Sequence, residues 1–342
     1  MRRRLSAVRR QLSALLLSLP ACRGALDQSV LESAGPRARA VESLWWFALV
    51  VAAVVYVATV GALAWAVVGA RRRVARGELG PPANEHRRMT LAVAGGTAAT
   101  VAILFTFFFY DLSVGRTLRP PHERAHTLVQ VTGHQWWWEV EYPHAVPSNA
   151  VSDANELHIP TGRPVLIEVT SRDVIHSLWI PNLGGKKDLI PRYTDTIWFQ
   201  ADRPGIYRSQ CAEFCGLQHA KMALHVVAHE PGEYETWLQQ ARMPARAPTD
   251  TLAARGQEIF LSGSCALCHT IVGTPAGSRV GPDLTHLASR RTIAAGTLPN
   301  TRGNLAAWIL DPQRIKPGAN MPSNALSPAD LEALLAYLQS LK

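Results

Sequence analysis

The stretch Cys211-Ala-Glu-Phe-Cys215-Gly-Leu-Gln-His219-Ala-Lys-Met222 puts two thiols, an imidazole and a thioether into twelve consecutive residues. These are soft or borderline donors, and as a set they suit copper better than calcium or magnesium. A Cys-x3-Cys pair with a nearby histidine also suits zinc. The thioether of Met222 favours copper over zinc. Such a site needs a second imidazole from elsewhere in the chain. His176, in Asp173-Val-Ile-His176-Ser-Leu-Trp, begins a stretch that reads as a buried strand, which is the place of a ligand or of a packed core histidine.

The surrounding residues read as β-structure. His126-Thr-Leu-Val-Gln-Val-Thr132, Arg163-Pro-Val-Leu-Ile-Glu-Val-Thr170 and Thr194-Asp-Thr-Ile-Trp-Phe-Gln200 are rich in β-branched and aromatic residues. Pro160, Gly162, Pro181, Gly184, Pro204 and Gly205 separate these runs. About a hundred residues of this kind predict an all-β sandwich. The pattern then turns helical at Glu233-Tyr-Glu-Thr-Trp-Leu-Gln-Gln240. It loosens at Ala241-Arg-Met-Pro-Ala-Arg-Ala-Pro248, a linker-like stretch that predicts a domain boundary near 245–250.

Before the sandwich the sequence is that of a membrane protein. Of the formal charge of +9, residues 1–10 carry +5 and residues 71–88 carry +4, so the rest of the chain is neutral overall. Basic surplus confined to a leader and one loop signals targeting and topology and excludes a nucleic-acid footprint. The short apolar run 12–19 fits a secretory signal. It ends in Leu19-Pro20-Ala21-Cys22, which looks like a bacterial lipobox with lipid on the Cys22 sulfur; plain signal cleavage nearby, with Cys22 a spare thiol, is the alternative. Residues 43–70 and 89–110 carry no charge, and each exceeds the roughly 20 apolar residues that cross a hydrocarbon core. The arginine-rich loop between them, Arg71 to Arg73 with Arg76, Arg87 and Arg88, belongs in the cytoplasm. Both flanking segments are then external.

A second redox motif lies beyond the linker. Cys265-Ala-Leu-Cys268-His269 is the C-x-x-C-H pattern of covalent c-type haem. A thioredoxin-like dithiol would leave His269 without a role and lacks the βαβ setting. Zinc would need a second Cys/His pair, and His286 alone does not make one. Residues 252–261 read as one helix. Ser327-Pro-Ala-Asp330 opens another with an N-cap, a proline at N1 and an acid in the first turn. Leu331, Leu334, Leu335 and Leu338 give that last helix an apolar face. With only five cysteines, two pairs of them closely spaced, the chain is not a disulfide scaffold.

From the transmembrane hairpin to about residue 230 the sequence resembles subunit II of the haem–copper cytochrome c oxidases. The residues that carry the likeness are Gly133-His-Gln-Trp136-Trp137-Trp138, Asp173-Val-Ile-His176-Ser and the 211–222 motif. That resemblance implies a cupredoxin sandwich holding a binuclear CuA centre. In it Cys211 and Cys215 bridge two coppers, His176 and His219 hold one each, Met222 is a weak ligand and Glu213 lends a backbone carbonyl. The Glu213 carboxylate is expected to reach a magnesium shared with the catalytic subunit. Trp136 is the residue by which electrons reach copper, although a tryptophan run also suits a membrane surface. One departure is the start of the second span: family members use a Glu-x-x-Trp-Thr pattern on a proton path, and here Asn84-Glu-His-Arg-Arg-Met-Thr90 offers Glu85 or His86. Residues 251–342 resemble class I cytochrome c, through Gly256, Phe260, Gly281-Pro-Asp-Leu284 and Gly318-Ala-Asn-Met321-Pro322. This implies His269 and Met321 as axial ligands.

The expected architecture is therefore a signal peptide (1–21), an external segment (22–42), a two-helix hairpin (43–110, spans about 44–70 and 89–110), a CuA sandwich (111–240), a linker (241–250) and an all-α haem domain (251–342). The resemblance implies a bacterial cytoplasmic-membrane subunit passing electrons from soluble cytochrome c or another donor, through haem c and CuA, to subunit I, with subunit III alongside. Oxygen reduction and proton pumping would belong to that partner. The rivals are the CuA subunit of a nitric oxide reductase and a membrane-tethered copper-binding protein; the second thiol, the tryptophans and the haem motif disfavour the latter. The fused haem domain is expected to dock over the aromatic patch or to use another edge, with the linker keeping it at high local concentration.

Overall fold

A computed structural model describes residues 28–78, 84–119 and 127–342. The leader and Cys22 lie outside the described residues. The helical hairpin Arg39–Arg119 forms one unit, and the rest of the described chain forms the other.

In the hairpin, α1 (Pro36–Ala75) and α2 (Glu85–Thr117) contain windows of mean hydropathy 2.4 and 1.9, unburied by other protein. Both helices outrun their uncharged cores because arginine-bearing ends continue the same hydrogen-bonding pattern. At 1.5 Å per residue, α1 with its 40 residues is about twice as long as a hydrocarbon core of about 30 Å is thick. The pair is joined by Phe47 against Phe107 and Tyr110, and by the Tyr110 hydroxyl 3.0 Å from Ser43 Oγ. Glu85 and His86 stand exposed in the first turn of α2.

The second unit begins with a short segment pinned to the sandwich. Ala34 N–H donates to the Asn182 carbonyl at 2.7 Å, and the Ala34 carbonyl accepts from Asp202 N–H at 2.8 Å. The sandwich has two five-stranded sheets. In chain order the strands are β1 (Thr127–His134), β2 (Trp137–Tyr142), β3 (Val151–Ala154), β4 (Glu156–Pro160), β5 (Val165–Ser171), β6 (His176–Trp179), β7 (Lys186–Leu189), β8 (Asp195–Phe199), β9 (Gly205–Cys211) and β10 (Ala223–His229). The sheet orders are β3-β2-β1-β5-β8 and β4-β10-β9-β6-β7. Alternation sets the faces: Val165, Ile167 and Val169 of β5 are fully buried between the sheets, while Leu166, Glu168 and Thr170 lie outward. Each fully buried Val or Ile contributes about 1.5–3 kcal/mol.

Helix α3 (Pro231–Ala241) leads toward the haem domain, which holds α4 (Thr251–Ser262), the two-residue strands β11 (Thr292–Ile293) and β12 (Leu298–Pro299), α5 (Arg302–Leu310), α6 (Pro312–Ile315) and α7 (Pro328–Ser340). Asp250 caps α4 and Ser327 caps α7 through side-chain acceptors. The two helices cross closely: a Cβ on Gly256 would lie 2.0 Å from the Ala333 carbonyl oxygen. Leu334, Leu335 and Leu338 are buried, as the apolar face predicts.

The stretch between α3 and α4 is not a loose tether. Ala245 N–H donates to the Val272 carbonyl at 2.9 Å, and His286 Nε2 lies 3.2 Å from the Ala241 carbonyl. The haem domain is also bound directly to the sandwich. Arg290 Nε donates to Asp153 at 2.8 Å, Arg291 N–H to Glu156 at 2.7 Å and Ala223 N–H to the Ala295 carbonyl at 3.0 Å. Arg279 pairs with Glu139 at 3.0 Å and with Glu141.

Candidate copper and haem sites

The soft-donor loop closes on His176 because of strand register. Leu178 of β6 pairs with Cys211, the last residue of β9, and this carries His176 to the same end of the sheet. His176 Nδ1 then faces Cys211 Sγ at 4.0 Å. Its Nε2 lies 2.9 Å from the Asp173 carboxylate, which fixes the ring and leaves Nδ1 to face the sulfurs. Burial works against charge on Asp173, but hydrogen bonds from His176 and from the Val174 and Gln135 backbones outweigh it and hold the carboxyl below its usual range.

Gly133 on β1 forms the back of this pocket. A Cβ there would come within 2.7 Å of His176 Cδ2, so only glycine lets the imidazole lie flat against the strand. Neither Asp173 nor Gly133 carries a role in the sequence reading. Asp173 was discoverable, since an acid three residues from a ligating histidine on a tight turn is a common orienting partner. Gly133 was not, because β1 and β6 meet only across the sandwich.

The other donors converge on the thiols. Cys211 and Cys215 Sγ are 3.8 Å apart, far beyond a disulfide bond of about 2.05 Å and within twice a metal–thiolate length of about 2.3 Å. Around Cys215 Sγ stand His219 Nδ1 at 3.6 Å and Met222 Sδ at 3.8 Å. The Glu213 carbonyl lies 3.2 Å from Cys211 Sγ, while the Glu213 side chain is exposed. His176, Cys211 and Cys215 form a buried group with ligand atoms mutually within 4.8 Å. The hydrogen bond from Cys215, aided by that with His176, pulls the Cys211 thiol far down, and the same bond pushes Cys215 up. Two neighbouring thiols that share one proton are a natural seat for cations. This donor set fits a copper centre: it is dry, sulfur-rich and already gathered.

The haem motif lines a cavity of about 370 Å³ with Cys265, Cys268, His269 and Met321 among its walls. His269 Nδ1 donates to the Pro282 carbonyl at 2.7 Å. That bond fixes the tautomer and leaves Nε2 with a lone pair for a metal. Burial lowers the His269 pKa, which keeps the ring neutral. Gly281 lies flat against the imidazole, where a Cβ would sit 2.8 Å from Cε1. Two thiols, two axial-type donors and apolar walls from Leu284, Leu305 and Ile309 fit a covalently attached haem.

The sandwich supplies part of that cavity's wall. Gln135, Trp136, Trp137 and Asn155 all line it. Trp136 is 8% exposed, and its Nε1 donates to the Cys215 carbonyl at 2.9 Å. Its own carbonyl accepts from Lys316 Nζ at 2.6 Å. Lys316 is 2% exposed and also donates to the Ala294 carbonyl at 3.2 Å. Burial, with repulsion from Lys221, lowers its pKa to about 7. No feature of the sequence marks Lys316, because its burial arises only when the two domains meet.

A sandwich with a gathered soft-donor loop, joined to a C-x-x-C-H domain, defines a copper-and-haem electron-transfer protein. Comparison with known proteins narrows this class. The family described as cytochrome c oxidase subunit II, periplasmic domain, matches residues 127–229, and the cytochrome c family matches residues 253–342. The chain is 34% identical to cytochrome c oxidase subunit 2 of Alkalihalophilus pseudofirmus, over 97% of its own length and 96% of that protein's. It is 32% identical to the same subunit of Bacillus sp. (strain PS3), over 71% and 70% of the two chains. The solved periplasmic domain of subunit II of cytochrome oxidase from Bradyrhizobium japonicum is 29% identical, with 35% of this chain and 95% of that one covered and a TM-score of 0.33. The chain belongs to the cytochrome c oxidase subunit II family, in the form that carries a C-terminal cytochrome c domain.

Proposed function

We propose that this chain is the electron-receiving subunit of an oxygen-reducing, proton-pumping oxidase, taking electrons from a soluble cytochrome c or similar donor and serving subunit I, with subunit III alongside. When bound, haem c and a binuclear copper centre supply one-electron redox chemistry. The chain's own residues hold, orient and dry those groups. Cys265 and Cys268 would attach the haem, and His269 and Met321 would hold its iron; Met/His ligation raises a haem's potential, as an electron donor in respiration requires. Cys211, Cys215, His176, His219, Met222 and the Glu213 carbonyl would hold the copper. The exposed Glu213 carboxylate is free to reach a magnesium shared with subunit I. No donor in the copper set has to leave for substrate, which suits an electron relay better than a catalytic site.

The observation that carries this reading is Trp136. Trp136 lines the haem cavity while its indole N–H holds the Cys215 carbonyl, so one residue touches both sites. The chain crosses a bacterial cytoplasmic membrane twice, with sandwich and haem domain outside. The segment before α1 is hydrogen-bonded to the sandwich, which supports a common side for both. The test is isolation of the complex from membranes, with metal analysis and assays on oxygen and nitric oxide. Two coppers and one covalent haem per chain, copurifying catalytic subunits and oxygen consumption are expected. A single copper, stoichiometric zinc or turnover of nitric oxide alone overturns the reading.

A further inference from the structure

The segment that carries Met321 is tied to the loop that carries His219 and Met222. Lys221 Nζ donates to the Ile315 carbonyl at 2.5 Å, and Gln218 Nε2 donates to the Pro317 carbonyl at 2.8 Å. Between these two bonds Lys316 reaches the Trp136 carbonyl. Gly318, which follows Pro317, has φ of +85°; a Cβ there would touch both Trp136 and Leu217 at 3.4 Å. Residues 315–318 thus lie across the tip of the copper loop and the edge of Trp136. Gln218 is 7% exposed and its amide is committed to this contact.

The same segment is stiff on its own side. Gln313 Nε2 donates to the carbonyls of Ala319 at 2.7 Å and Met321 at 3.0 Å, and Gln313 Oε1 accepts from Gly318 N–H at 2.8 Å. A displacement at residues 315–317 is therefore carried to Met321 rather than absorbed by slack backbone. On the copper side, Gln218 adjoins His219 and Lys221 adjoins Met222, so neither can shift without moving a donor.

We propose that Gln218 and Lys221 are positioning residues which clamp the Met321 loop to the copper loop, so that occupancy of the copper site holds Met321 on the haem. This rests on the ligand assignments proposed above. Coupling of this kind is reciprocal: ordering of the 216–222 loop by copper restrains residues 315–321, and a firmly seated Met321 restrains the copper loop. Electron transfer between the sites then depends on a rigid contact and not on a tethered domain finding its dock.

The test uses the full-length protein in its complex, with imidazole as a competitor for the coordination position of Met321. Imidazole binding to the ferric haem and loss of the methionine–iron charge-transfer band are recorded with and without copper. In the unaltered protein, copper removal by chelation is expected to tighten imidazole binding about tenfold, the factor equivalent to about 1.4 kcal/mol. The Q218A/K221A variant is expected to bind imidazole about tenfold more tightly with copper present, and to show no further change when copper is removed. Because the variant could lose copper outright, the chelation arm in the unaltered protein stands alone as a test. Equal imidazole affinity with and without copper overturns the clamp. If Met321→Ala leaves the band intact, the axial assignment itself is wrong, an outcome distinct from failure of the clamp.

Discussion

Replacing Gly133 by alanine tests how the copper pocket is built. The added methyl would lie 2.7 Å from His176 Cδ2 and 3.0 Å from Cγ, whereas ordinary contact begins near 3.4 Å. One group must move by about 0.7 Å, the difference between those two distances. The ring has little freedom to do so: it is fully buried and anchored at Nε2 by Asp173. Backbone movement is opposed too, since the Gly133 carbonyl accepts from Arg172 N–H at 2.9 Å. Overpacking of this kind costs about 1–3 kcal/mol. Paid at the imidazole, that is roughly a five- to 150-fold loss in copper retention. The assay is a chelator titration of the purified complex, followed by copper paramagnetic resonance, with haem absorbance as an internal control for folding. Gly185→Ala is the matched comparison, because its Cβ would meet nothing within 4 Å. If Gly133→Ala keeps its copper as firmly as Gly185→Ala, with an unchanged spectrum, the glycine–imidazole contact does not shape the site.

Two further outcomes are expected. Cys215→Ser removes the sulfur around which Cys211, His219 and Met222 gather; it should abolish the delocalised mixed-valence copper signal and leave the haem spectrum intact, and unaltered copper reduction would refute the bridging role. Lys316→Met tests the buried ammonium. A lysine at about 7 when folded and about 10.4 when unfolded binds fewer protons in the folded state across that window. Folded-state stability therefore rises as pH climbs from 7 toward 10, by at most about 1.4 kcal/mol per pH unit from this group. Denaturation midpoints of the unaltered protein should gain on those of Lys316→Met over that range; a constant difference would show that Lys316 does not titrate there.

What local sequence determines here is chemistry and element type. The donors of the 211–222 loop are legible because they sit within twelve residues, and C-x-x-C-H fixes its own spacing. The two long apolar helices follow from uncharged length, and the last helix follows from its cap and leucine spacing. His176 needed the family resemblance, since β6 meets β9 only through sheet register. Tertiary structure alone decided the rest. Gly133 matters because two strands distant in sequence bring its Cα against an imidazole. Lys316 is buried, and Trp136 walls the haem cavity, because the haem domain lies on the copper loop. Contacts between domains depend on the shape of both surfaces at once, and no window of sequence contains both.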